Sequence, residues 1–243
     1  MQPFDLYESA LRPVRARFLA SPGVTEVLSP EIDPLLLESF LLHFCASGVA
    51  VTRPVEGWIR RAGEACQAMG LEELGRALVG HARDEAGHDR LFAADARLLV
   101  ERWNAAGRPR LDVQELLALP PSPGARHYQR LHERTIAGPT PYGQMAIEFE
   151  IESLAMSLGE GLLRNSRLRL GDRVLEGLSF VREHVRLDVG HTHFNRRNLI
   201  RILNEHPEFL PALVAAGQEV LEAYGEFLAD CLAAAGSLLP AAR

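Results

Sequence analysis

The residues with the clearest chemical potential lie in residues 183–195, which read EHVRLDVGHTHFN. His184, Asp188 and His191 are four and then three positions apart, so in a helix their side chains share one face. Apolar residues at helical spacing surround the run, which predicts that this face points into the protein. Because desolvating ionisable groups is costly, a bound cation or charged groups on facing helices must compensate these three side chains.

A second group of ionisable residues lies upstream, in the sequence HARDEAGH. His81, Asp84, Glu85 and His88 occupy positions i, i+3, i+4 and i+7 of a predicted helix. The apolar stripe of that helix continues toward its end, with Asp95 as a polar interruption. This spacing predicts a second inward-facing set of ligands.

A third helix supplies two more carboxylates. Glu148 and Glu152 are four residues apart and share a face, whereas Glu150 points elsewhere and is predicted to be solvated. Imidazoles and carboxylates from three helices, without thiolates, form the mixed oxygen and nitrogen donor set that suits iron or manganese rather than a structural zinc. Bundle cores commonly hold dinuclear centres of this kind.

Each motif also has a simpler interpretation. A helix with the HxxDExxH pattern is more often a charged surface helix, and the acidic pair could be a solvated edge. The three motifs in one helical chain favour a metal site. Among the other histidines, we assign His43 to the core or its rim, His193 to a different face, and no role to His127, His132 or His206.

The elements that must position these residues are helices. Helical spacing dominates and strand signals are nearly absent, so we predict one all-α domain over residues 1–243 with seven to eight helices. Proline and glycine mark most boundaries. The predicted helices cover about residues 3–20, 34–50, 54–70, 71–106, 126–137, 142–163, 172–204 and 208–235, with one brief helix inside the connection 108–125.

The composition of the chain bears on its binding partners, its compartment and its relation to membranes. The net charge of −6 argues against partners such as nucleic acid and anionic membranes. Three widely spaced cysteines, Cys45, Cys66 and Cys231, form no CxxC motif and favour a reducing compartment. The N-terminus lacks the apolar core of a signal peptide, and no long uncharged apolar run predicts a membrane span. We therefore expect a cytoplasmic protein.

These motifs resemble those of the haem-oxygenase-like diiron oxidases, iron-containing redox enzymes related to the TenA and PqqC folds. The similarity covers about residues 80–203: DEAGH looks like the family's first ligand pair, IESLAM like its middle glutamate, and HxxxDxxH like its last motif. The resemblance implies a haem-oxygenase/TenA-like bundle. It implies as metal ligands Glu85, His88, Glu152, His184, Asp188 and His191.

One departure from the family leaves alternatives open. Many members separate the first glutamate and histidine by seven residues, and here that spacing leads to His81 instead of Glu85. Glu148 replaces Glu152 if its helix is rotated. His81, Asp84 and Glu148 therefore remain second candidates.

The resemblance implies a non-haem iron-dependent oxidoreductase. Two Fe(II) ions, or manganese, would react with O2 as co-substrate and oxidise a small molecule: an amino acid, a fatty acid or a natural-product intermediate. An external electron donor and a homodimer are compatible with this function. The alternatives are a TenA-like hydrolase without a cofactor, which needs a nucleophilic cysteine, a ferritin-like iron-binding protein, and a helical relative that holds no metal.

Overall fold

The regular elements of the structure are all helical, as the sequence predicts. The computed structural model describes residues 2–239, apart from the side chains of residues 187–191. Eleven α-helices and three short 3₁₀ helices, and no strands, form in this part of the chain. The 3₁₀ helices Pro141–Gly143, Asp172–Gly177 and Pro207–Phe209 each precede a long helix. The α-helices are α1 (Pro3–Leu19), α2 (Pro22–Leu28), α3 (Pro34–Thr52), α4 (Val55–Ala68), α5 (Glu72–Asp84), α6 (His88–Ala105), α7 (Val113–Leu117), α8 (Pro123–Ala137), α9 (Gln144–Leu170), α10 (Ser179–Glu205) and α11 (Leu210–Ser237).

The helix predicted over residues 71–106 is in fact two helices, and this prediction was wrong. Helix α5 ends at Asp84 and α6 begins at His88. Between them Gly87 has a φ of +91°, a left-handed conformation that glycine adopts without the steric penalty of a side chain. Glu85 and His88 therefore do not share the face of one continuous helix, and their relation has to be taken from the turn between α5 and α6.

A short helix also follows α1 where the sequence pattern indicated only a break. The run Ser21-Pro22-Gly23 ends α1, but Pro22 then occupies the first position of α2, where the missing amide hydrogen is tolerated. With the division of residues 71–106, this accounts for most of the difference between the seven to eight predicted helices and the eleven observed among the described residues.

Helix α3 lies in the core. Residues 37–46 are consecutive and all buried, so the helix is surrounded on every side, chiefly by α6 and α11. The segment 34–68 contains the one helical stretch of the described chain that is long and apolar enough to span a bilayer, but 72% of its apolar window is buried inside the protein. Its apolar character is that of a core helix.

Two long helices, α9 and α10, form the wall that positions the functional residues. Helices α9 and α10 have 27 residues each and pack against one another, and α5 and α6 both contact α10. All residues singled out in the sequence analysis as candidate ligands lie on these four helices or on the turn between α5 and α6.

Two acidic residues have structural roles that the sequence analysis did not assign. Asp95, predicted only as a polar interruption, is buried and caps α10: its carboxylate accepts from the backbone amides of Ser179 and Phe180 and from the Ser179 hydroxyl. Glu150, predicted to be solvated, is 1% exposed and accepts from Tyr7 and Arg15 at 2.7–2.8 Å. That prediction was wrong, because α1 covers this face of α9.

Replacing Asp95 with Ala should destabilise the protein by about 2–3 kcal/mol, since it removes a charged cap and leaves the buried donors at the start of α10 without a partner. Urea unfolding followed by circular dichroism measures the change. The control is Asp112→Ala, which removes the cap of the five-residue helix α7 on the surface. Equal losses in the two variants would contradict the role given to Asp95.

Candidate metal centre

Six ionisable side chains form two groups that could each hold a metal ion. The first, here called the buried cluster, consists of His81, Glu148 and Glu152; the second, the outer cluster, consists of Glu85, His88 and His184. In each cluster one ligand atom per residue lies within 4.8 Å of the others.

The turn between α5 and α6 contributes to both clusters. His81 lies in the last turn of α5, Glu85 is its C-terminal cap, and His88 is the first residue of α6. The break at Gly87 lets Glu85 and His88 approach each other, with Glu85 Oε2 and His88 Nδ1 2.7 Å apart. The local structure thus directs His81 to one cluster and the pair Glu85 and His88 to the other.

The buried cluster joins α5 to α9. Glu148 and Glu152 are one turn apart on the buried face of α9 and are each 5% exposed, and His81 is 2% exposed. The Nε2 atom of His81 lies 3.0 Å from Glu152 Oε1 and 3.8 Å from Glu148 Oε2. Three donor atoms therefore converge in a site from which water is largely excluded.

The outer cluster joins the α5–α6 turn to α10. The rings of His88 and His184 lie with their centroids 4.5 Å apart. His184 donates from Nδ1 to the backbone oxygen of Phe180 at 2.8 Å, which orients the ring and leaves Nε2 as the ligand atom. This hydrogen bond is the kind of support that histidine ligands of metals usually have.

Members of both clusters line one cavity. Glu85, Glu148, Glu152 and His184 surround a cavity of about 80 Å³. A second cavity of about 70 Å³ adjoins it, and its lining is almost entirely apolar. Both cavities include in their linings Ala155, Phe180, His184 and Tyr224. The two clusters therefore face a common interior space that has an apolar extension.

The electrostatics of the buried cluster favour a positive charge between the carboxylates. Burial disfavours a charged imidazole at His81, but hydrogen bonds to Glu148 and Glu152 outweigh this effect and raise the pKa of His81 to about 11. Burial raises the pKa of Glu148, although His81 opposes this shift. A metal ion bound here would have to displace the proton of His81, so metal binding would release protons.

In the outer cluster, Glu85 and His184 have pKa values that leave one residue ionised and the other neutral near pH 7. Burial would raise the pKa of Glu85, but the hydrogen bond with His88 outweighs it and lowers that pKa. Burial and the neighbouring His88 lower the pKa of His184. Glu85 is therefore ionised and His184 neutral near pH 7, which are the forms in which both residues bind metals.

Buried carboxylates elsewhere in the described chain have arginine partners or a helix terminus. Glu38, 1% exposed, pairs with Arg102 and Arg108 at 2.9 and 2.5 Å. Glu150 pairs with Arg15 at 2.7 Å. The described partners of the two carboxylates in the buried cluster are instead an imidazole and side-chain amides. A donor set of carboxylates and imidazoles fits a divalent metal such as iron or manganese.

The structure brings together three of the six residues predicted as ligands, Glu85, His88 and His184, in the outer cluster, and places a fourth, Glu152, in the buried cluster. The other two, Asp188 and His191, lie outside the described residues. Of the second candidates, His81 and Glu148 lie in the buried cluster together with Glu152. The third, Asp84, is exposed and lines a depression on the protein surface outside His81.

Three supporting residues were missed in the sequence analysis. His132 was assigned no role, but it is fully buried in α8, stacks on Trp58 and contacts Gln144. Gln144 donates to Glu148, and Asn195 donates to Glu152. Gln144 precedes Glu148 by one helical turn, which was the available signal; the contacts of His132 and Asn195 depend on the packing of α8 and α10 against α9.

Comparison with known proteins identifies the architecture. Neither the models of known families nor the curated proteins include a match to this sequence. Among solved structures, a domain of unknown function with a heme oxygenase-like fold from Shewanella denitrificans superposes with a TM-score of 0.73 at 16% identity, covering 95% of this chain and 92% of that one. The chain has a haem-oxygenase-like fold.

A second solved structure supports the same conclusion. A TenA homolog from Pseudomonas syringae pv. tomato gives a TM-score of 0.66 at 13% identity and covers 94% of this chain and 92% of its own. The predicted haem-oxygenase/TenA-like fold class is confirmed. At these identities the haem-oxygenase-like fold is what the comparisons establish, and the chemistry has to be argued from the residues themselves.

The pH dependence of stability tests the charge assigned to His81. Because its pKa is raised above that of the unfolded chain, its contribution to stability is fully present below about pH 6.5 and is lost as the pH rises toward 11. We expect the free energy of unfolding of the metal-free protein to fall between pH 7 and pH 10 by at most about 1.4 kcal/mol per pH unit from this group. Urea unfolding at a series of pH values measures it.

The variant His81→Gln should lose most of that slope, whereas His206→Gln, on the surface beside Glu208, should retain it. Identical slopes in the wild type and His81→Gln would show that His81 is not held as the cation.

Proposed function

We propose that this protein is a non-haem diiron enzyme that uses O2 to oxidise a small organic substrate. The observation that carries the proposal is that two neighbouring clusters of carboxylates and imidazoles face one interior cavity. Bound ferrous ions would supply the binding and reduction of O2. Manganese fits the same donor set, so the metal has to be identified by experiment.

The described side chains have distinct tasks in this proposal. His81, Glu148 and Glu152 would hold one ion, and Glu85, His88 and His184 the other. The resemblance noted in the sequence adds Asp188 and His191 as ligands. The three carboxylates of the two clusters would offset most of the charge of two divalent ions in an interior of low polarity.

The walls of the cavities define the space for the substrate. Phe180, Tyr128 and Tyr224 border the clusters and exclude water from the reacting groups. No arginine is among the described residues that line the two cavities, and the sequence has no lysine. The described wall residues therefore offer no arginine or lysine to pair with a carboxylate or phosphate of the substrate. An amino acid, a fatty acid and a natural-product intermediate all remain candidates.

The TenA-like hydrolase is less well supported. That chemistry needs a nucleophilic cysteine in the central cavity. Cys45, Cys66 and Cys231 are buried and free, and none is among the described residues that line the two cavities. Burial raises the pKa of the Cys66 thiol to about 12, so it is not a thiolate near pH 7.

The proposed function also has consequences for the cellular compartment, the electron donor and the oligomeric state of the protein. Three free thiols fit a reducing compartment, and we propose that the protein acts in the cytoplasm. An external electron donor would supply those electrons for the reduction of O2 that the substrate does not provide. A homodimer is compatible with this function and is tested by the mass of the protein in solution.

Anaerobic titration with Fe(II), followed by rapid mixing with O2, tests the proposal. We expect close to two irons per chain and a transient absorbance band after O2 is added. Glu152→Gln should weaken iron binding and abolish the band, because it removes a charge and a ligand oxygen from the buried cluster. His191→Ala, at a ligand predicted from the sequence, should have the same effect.

The matched control is Glu64→Gln, which changes a surface glutamate that pairs with Arg60, away from both clusters. It should behave as the wild type. A chain that binds no metal, or that binds iron without reacting with O2, would refute the oxidase function. Accumulation of many irons per chain would indicate a ferritin-like protein instead.

A further inference from the structure

Each carboxylate of the buried cluster has one oxygen engaged by a side-chain amide. Gln144 donates from Nε2 to Glu148 Oε1 at 2.5 Å, and Asn195 donates from Nδ2 to Glu152 Oε2 at 2.6 Å. Both amide residues are fully buried. The same arrangement therefore occurs twice, on amides that come from different helices.

The second oxygen of each carboxylate faces the third member of the cluster. Glu152 Oε1 lies 3.0 Å and Glu148 Oε2 3.8 Å from His81 Nε2. The two oxygens that face His81 are thus the ones that the amides do not engage. By holding one oxygen of each carboxylate in a hydrogen bond, the amide leaves the other oxygen turned toward the candidate metal site.

The orientation of the Gln144 amide is itself fixed by its surroundings. Its Nε2 lies 2.9 Å from His132 Nδ1, so the two hydrogens of one amide nitrogen can serve His132 and Glu148. Burial lowers the pKa of His132 to about 3, which keeps the ring neutral. Its Nδ1 also lies 3.2 Å from Gln144 Oε1, so the ring pairs with this amide in either neutral tautomer. The ring stacks on Trp58 with centroids 4.2 Å apart and planes 10° apart, and this contact holds it in place.

Rotating the amide by half a turn would place its oxygen against the carboxylate of Glu148, where the two acceptors repel. The nitrogen is therefore the atom that faces the cluster. Asn195 reaches the cluster from α10, so its hydrogen bond also ties α10 to α9 beside the site.

We propose that Gln144 and Asn195 are positioning residues that restrict Glu148 and Glu152 to binding the metal through one oxygen each. This inference rests on the proposed function of the buried cluster as a metal site. A carboxylate that binds through both oxygens takes up two coordination positions, whereas one held by an amide takes up one. The two amides thus keep coordination positions open for the other molecules that must reach the metal.

Cobalt(II) is the probe, because its visible absorption reports coordination number and it can be added without O2. The variants Gln144→Met and Asn195→Leu keep roughly the side-chain size and remove the donor. We expect each to weaken Co(II) binding about 10–100-fold, the usual effect of losing support for a metal ligand. The absorbance per bound Co(II) should fall, since a released carboxylate binds through both oxygens and raises the coordination number.

Matched controls are available in the same fold. Gln129 and Asn165 donate to backbone oxygens, of Ala50 and of Val27 and Ser29 respectively, and neither is in a cluster. Gln129→Met and Asn165→Leu should leave the affinity and the spectrum unchanged even where they lower the thermal stability. If Asn195→Leu does not fold, the smaller Asn195→Ala replaces it.

A double-mutant cycle separates positioning from a general loss of structure. Gln144→Met should have little further effect on Co(II) affinity in a Glu148→Gln background, and close to its full effect in a Glu152→Gln background. Additive effects in both backgrounds would overturn the inference, as would wild-type affinity and spectrum in Gln144→Met and Asn195→Leu.

The outcomes also separate this inference from the proposed function. If the wild type binds Co(II) with the expected dependence on Gln144 and Asn195 but its Fe(II) form is inert to O2, the positioning role stands and the oxidase function fails. If the wild type binds no Co(II), both are overturned.

Discussion

The burial of two carboxylates beside one imidazole is the constraint on which the site depends. Glu148 and Glu152 lie in an interior where an isolated carboxylate would be strongly destabilised. The imidazole of His81 and two side-chain amide donors stabilise these carboxylates. An imidazole can give up its proton, whereas a guanidinium cannot, so a metal ion can replace the positive charge at His81 but not at the arginine pairs of Glu38 or Glu150.

The break between α5 and α6 converts one stripe of residues into two ligand groups. On an unbroken helix His81, Glu85 and His88 would lie along one line and compete for the same space. The left-handed turn at Gly87 lets Glu85 and His88 pair with each other and with His184 on α10, while His81 remains on α5 and faces α9. The separation into two candidate ligand groups therefore follows from a local backbone feature.

The two clusters have polar supporting residues in one part of their surroundings and an apolar cavity in another. Polar support comes from the side of α8 and the start of α9, where His132 and Gln144 lie. The apolar cavity has His184 and Phe180 in its lining. The same helices that hold the ligands therefore provide both a rigid backing and a space of low polarity next to the proposed reaction centre.

The sequence by itself determined the helical class and most of the candidate ligands, because helical spacing and residue type are local properties that the chain carries in its own order. His184, Glu152, Glu85 and His88 could be found in this way. The sequence did not determine that α5 and α6 separate at Gly87, that Glu150 would be covered by α1, or that Gln144 and Asn195 would each engage one carboxylate oxygen. Those facts depend on which faces of distant helices meet, and only the packing of α1, α8 and α10 against α9 decided them.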